Sequence, residues 1–134
     1  MFALATKETF DIVAVQDVLN EAGIQARTAA KEALQKYGDR DACGFAWVNV
    51  YGVRSNSKLG KALQAAGFRK DYTGSLQLWN PSKSGVQSIG ILEAGAVAYA
   101  NVLREKLGLE KCYAGSRMDW ARGASPLLKA LDTF

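Results

Sequence analysis

There is no histidine among the 134 residues. That absence removes a Ser-His-Asp triad, a Cys-His dyad, histidine-ligated zinc and the side chain that ordinarily titrates near neutral pH. Cysteine is scarce as well: Cys43 and Cys112 are the only two, and they lie far apart, in nothing resembling a CxxC or zinc-finger spacing. Each falls in a strand-like apolar run, which predicts two buried, reduced thiols; a bridge between them requires their strands to be neighbours. With 2 prolines and 22% charged residues, the chain has the composition of neither a disordered tail nor a collagen-like repeat. No segment approaches the roughly 18 uninterrupted apolar residues of a membrane span, and Met1 to Thr6 lack the basic and apolar regions of a signal peptide. A cytoplasmic protein with no membrane association is the expectation.

What is present is 49% hydrophobic residues, enough for one domain of this length to bury its own core. The formal charge is +4, from 17 Lys and Arg against 13 Asp and Glu. It is unevenly spread. Residues 1–40 hold five basic and six acidic side chains, whereas residues 54–83 hold Arg54, Lys58, Lys61, Arg69, Lys70 and Lys83 against Asp71 alone.

Ile12, Val15, Leu19, Ala22, Ala26, Ala29, Ala33 and Tyr37 recur at intervals of three and four, one face of a helix. The stripe keeps its phase across Gly23, which favours one long helix over two. Residues 43–51, CGFAWVNVY, read as a strand ending at Gly52, with Phe45, Trp47 and Tyr51 pointing one way and Ala46, Val48 and Val50 the other. Both sets are apolar, so a central strand covered on two sides is expected, its aromatic row serving as core packing. Asn49 needs a partner there if buried.

A polar loop at 54–57 leads to a short helix with Leu59, Ala62, Leu63 and Ala66 on one face, stopped by Gly67-Phe68 in the pattern of a Schellman ending. A second strand is expected at Ser75 to Trp79, ended by Asn80-Pro81. A buried helix from Ser88 to Leu107 carries Leu92, Ala96, Tyr99, Leu103 and Leu107, and terminates at Gly108. Lys111 to Met118 is a third strand, and Ser125-Pro126 opens a short last helix. The order predicts an α+β fold: a single two- or three-layer domain, with a small mixed β-sheet of about three to four strands packed by a long N-terminal helix and a buried helix near 88–107. Its parts are an N-terminal helical arm at about 9–37, a core at about 42–119 and a C-terminal helix at about 126–132.

The basic stretch is the best place for a ligand. The helix N-terminus beside Arg54, Ser57, Lys58 and Lys61 suits a phosphate or carboxylate, and Tyr51 or Trp79 can stack on a base. Asn80 adjoins that stacking residue. Arg117 and Asp119 share one side of the third strand, as a salt bridge or with the arginine on a ligand. Glu93, early in the buried helix, is a carboxylate in search of a loop or an arginine; as a general base it has no acid partner. The residues from Gly52 to Lys61 do not have P-loop spacing, and the acids form no metal cluster.

Asp41-Ala-Cys-Gly-Phe-Ala-Trp-Val48, Trp79-Asn-Pro81, Glu93-Ala-Gly-Ala96 and Ser116-Arg-Met-Asp119 resemble, in that order along residues 9–119, a group of small conserved hypothetical proteins of tailed bacteriophages. The resemblance brings no assigned active site. It implies an accessory protein made inside an infected bacterium, where blocking host defence or host enzymes is a common task.

The expected function is capture of an anionic, nucleotide-like ligand or a host factor, without catalysis and without a cofactor. The alternatives are a protein–protein or homo-oligomeric module using the alanine-lined N-terminal helix, and an enzyme acting on nucleic acid. Direct nucleic-acid binding is allowed by the basic stretch but not favoured, since +4 is mild for that role.

Overall fold

The computed structural model describes residues 12–39, 43–85 and 88–118. Three helices and four strands follow in the order α1 (Ile12–Tyr37), β1 (Gly44–Val50), α2 (Lys58–Ala65), β2 (Arg69–Lys70), β3 (Leu76–Trp79), α3 (Ile89–Leu107) and β4 (Cys112–Met118). The strands form one sheet in the order β2-β3-β1-β4. Every neighbouring pair is antiparallel, so the sheet is not mixed. Antiparallel neighbours in this order make β1 and β2 run the same way with β3 between them, and β3 and β4 the same way with β1 between them. From β1 onward the chain is thus two interleaved split β-α-β units, a βαββαβ connectivity. The short α2 serves as a crossover because the whole connection from β1 to β2, residues 51–68, is long enough to return along the sheet.

α1 runs unbroken through Gly23, and its stripe of Val15, Leu19, Ala22, Ala26 and Ala30 is buried. Ala29 and Ala33 are only half-buried and Tyr37 is exposed, so the buried stripe follows Ala30 in the last turns. α3 is buried over most of its length, lies along β1 and β4, and packs against α1. Small residues set how close the two helices come: Ala22 and Ala26 on one side, Gly95, Ala96 and Ala100 on the other, all buried. A Cβ at position 95 would meet Ser82 Cβ at 2.7 Å.

α2 is capped at both ends by its own sequence. Ser57 Oγ accepts from Gly60 N at 3.0 Å and donates to the Arg54 carbonyl at 2.7 Å. At the far end Gly67, at φ +113°, donates to Gln64 O and Phe68 N donates to Leu63 O, both at 3.0 Å, the paired bonds of a Schellman ending. Phe68 is thereby turned into the core.

A single core cluster joins the helices to one face of the sheet, through Ala46, Val48 and Val50 of β1, Leu76 and Leu78 of β3 and Cys112 of β4. The other face departs from expectation. Along β1, fully buried Gly44, Ala46, Val48 and Val50 alternate with half-buried Phe45, Trp47 and Asn49. Among the described residues the helices all lie on the aliphatic side, which leaves β1 central in the sheet with its other face uncovered by them.

Candidate functional site

The pairing register sets out the uncovered face row by row. In one row Arg69, Gln77, Asn49 and Tyr113 stand side by side across β2, β3, β1 and β4; in the next come Trp79, Trp47 and Gly115; in the third, Phe45 and Arg117. Tyr51, just past β1, extends the ladder by its N–H to the Lys111 carbonyl at 2.9 Å, and its ring lies 6.1 Å from that of Tyr113. None of these positions is acidic.

The aromatic rings form two groups. Trp79 sits between its partners, 4.9 Å from Trp47 and, edge-on, 5.6 Å from Phe45. Its indole N–H donates to Gln77 Oε1 at 2.6 Å, which fixes the ring while leaving the side chain 48% exposed. Trp47 extends across β4: a Cβ on Gly115 would lie 2.6 Å from Trp47 Nε1, so glycine is what lets the indole lie there. Tyr51 and Tyr113 make the second group, 38% and 50% exposed. Asn49, in the row between the groups, keeps a shielded Oδ1 that accepts no hydrogen bond.

The nine residues singled out from sequence fall in different places. Tyr51, Trp79 and Arg117 share the uncovered face. Arg54, Ser57, Lys58 and Lys61 gather at the start of α2, away from the aromatic rows, where the hydroxyl of Ser57 is already occupied as the cap. Asn80 is a turn former, held at φ +48° with Nδ2 donating to Ser84 O at 3.0 Å and Oδ1 accepting from Ser82 Oγ at 3.3 Å. Asp119, and the helical stretches expected from sequence before residue 12 and at 126–132, lie outside the described residues.

The basic stretch is accordingly divided. Arg54 and Lys70 line an open cleft of about 630 Å³ with Gly52, Ser55 and Gly74. Lys83 lies with Arg27 in a groove of about 460 Å³ between α1, the end of α2 and the 80–83 turn, where Tyr99 also contributes and burial drives the phenol above the ordinary tyrosine range. Arg69 is on the sheet edge. Asp71, the one acid of the stretch, closes the β2–β3 hairpin: Oδ1 accepts from Thr73 Oγ1 at 2.6 Å, Thr73 N at 2.9 Å and Ser75 N at 3.1 Å. The Thr73 hydroxyl does most to hold that carboxyl below its usual value.

Glu93 accepts from Ser116 Oγ on the helix side of β4 and takes no part in the open face. The thiols are both free. Cys43 precedes β1 and Cys112 pairs with Val50 at its far end, so about 20 Å of ladder separates them and a bridge between them cannot form. Burial pushes the Cys112 thiol up to about 11, against the opposing pull of Arg104, whose guanidinium donates to the Cys112 carbonyl at 2.7 Å. No group of three or more Cys, Asp and Glu able to hold a metal occurs among the described residues, and no helix there is long and apolar enough to cross a membrane.

Sequence reasoning names Phe45 and Trp47 but assigns them to the core, counts Arg69 only within the basic run, and misses Gln77, Tyr113 and Gly115 as members of one face. Their alternation in LQLW and CYAGSRM was available; the missing fact was which face the helices leave open. Comparison with known protein families, curated proteins and solved structures finds no match.

Proposed function

We propose that the protein binds, without transforming it, an anion that carries a flat aromatic base: a nucleotide or a nucleotide-like molecule seated on the uncovered face of the sheet. The observation that carries this reading is the exposed Trp79 ring, packed on Trp47 and Phe45, on a face edged by Arg69 and Arg117 with no acidic side chain among its strand positions. Aromatic rings held rigidly by their neighbours stack a base at little entropic cost, and guanidinium groups pair with phosphate through two N–H donors. Function here rests on the site and not on the connectivity, since one fold serves many functions. A setting in the cytoplasm of an infected bacterium and a purpose in counter-defence belong to the same proposal and rest on the sequence resemblance alone. Assembly through the alanine stripe has less support, because that stripe is covered by α3 of the same chain.

Titration with nucleotides, followed by tryptophan fluorescence and calorimetry, tests the reading. Saturable binding is expected, weakened about tenfold by Trp79→Ala, in keeping with the stacking of one base. Binding unchanged in Trp79→Ala, or no binding of any nucleotide, would refute it.

A further inference from the structure

We infer that the occupant of this face is a single strand of several nucleotides laid diagonally across the sheet, not a mononucleotide; the inference rests on the base-stacking reading above. The register supplies the dimensions. Trp79 and Tyr113 are two strands and two residues apart, about 12 Å between Cα positions at ordinary sheet spacings. One base cannot lie on both groups of rings, but successive bases of one strand can, as on other four-stranded sheets where two or three bases stack.

The cations fit the same geometry. Arg69 lies on the β2 edge in the Asn49 row and Arg117 on the β4 edge in the Phe45 row. Three strand spacings and four residues separate them, about 20 Å. They flank the aromatic diagonal from its two sides, one at each outer edge. The single phosphate group of a mononucleotide reaches at most one of them while its base lies on Trp79. A strand laid along the diagonal keeps its bases on both groups of rings and carries its backbone phosphates past the arginine of whichever edge it faces. Duplex does not fit, because its bases are stacked on each other and offer no free face to Trp79 or Tyr113.

Fluorescence anisotropy with deoxythymidine monophosphate, a tetramer, an octamer and an octamer duplex decides the matter, each read on the native chain, Trp79→Ala and the Arg69→Ala/Arg117→Ala pair. The octamer is expected to bind at least tenfold more tightly than the monophosphate and the duplex. The double arginine variant should weaken the octamer and the monophosphate alike, by about tenfold, and flatten the slope of log octamer affinity on log salt by about 0.7 for each phosphate no longer neutralised. Equal binding of monophosphate and octamer, both abolished in Trp79→Ala, overturns the strand and leaves the nucleotide reading standing. Duplex bound as well as the single strand also overturns it. Binding of none of them defeats both readings together. Circular dichroism of each variant guards against a fold defect being taken for a binding defect.

Discussion

Val48 and Trp47 are adjacent on the same central strand, yet they belong to two different materials. On the Val48 side the sheet is aliphatic, fully shielded and in contact with helices whose closeness is set by alanine and glycine. On the Trp47 side it carries aromatic rings, two amides and two arginines, and its rings hold one another instead of a covering layer. Apolar area is large on both sides, so hydrophobicity does not tell them apart. The difference is in shape and valence: the first side is filled by branched aliphatics, the second offers flat rings and hydrogen-bonding groups that a ligand can use. On the proposed reading, one side holds the fold and the other recognises a ligand. Truncation of matched residues on the two sides is the way to break that division.

Phe68→Ala should have the largest effect. The ring is 1% exposed, packs 6.0 Å from Tyr99, and is delivered to the core by the Gly67 ending of α2. Its removal should destabilise the fold by about 3–5 kcal/mol, read as a lowered urea midpoint. A change below about 1 kcal/mol would mean that the helix side is not where the stability resides.

Gly60→Ala comes next. A methyl there would stand 2.0 Å from the Arg54 carbonyl oxygen, so the 54–57 loop must lift off α2. The expected cost is about 1–3 kcal/mol, with nucleotide binding retained because neither residue belongs to the aromatic rows. Loss of binding at full folding would instead place the site at the start of α2, where the basic run first suggests it.

That last contrast shows how far the residues could be read before the fold was known. The helices were legible because their signals are local: the alanine stripe of α1, the Ser57 cap and the Gly67-Phe68 ending each act within a few positions. β2 was not legible, since Arg69 and Lys70 are two exposed residues whose strand character comes only from pairing with Gln77 and Leu76. The site was half legible for a similar reason. Chemistry alone points to Tyr51, Trp79 and Arg117, but a run of charge along the sequence is not a patch in space, and the fold distributes that run among a cleft, a groove and a sheet edge. The alternation of β1 is plain in the sequence, but alternation of two apolar sets does not say which of them is covered.

Trp79→Ala is the counterpart of Phe68→Ala and should have the smallest effect on stability. Both substitutions remove an aromatic ring that packs on other rings, so the chemistry of the change is comparable. The surroundings differ: Trp79 is already half in water, and none of the described helices packs over it. What disappears is its packing against Phe45 and Trp47, about 1 kcal/mol, together with the exposed hydrogen bond to Gln77. Binding should respond in the opposite order, with Trp79→Ala severe and any Phe68→Ala protein that remains folded at low temperature close to normal. If Trp79→Ala lowers the urea midpoint as far as Phe68→Ala does, the aromatic face is a second structural core and the division between the two sides of β1 fails. If the two variants separate in stability and reverse in binding, the helix-packed side of the sheet carries the fold and its aromatic side carries recognition.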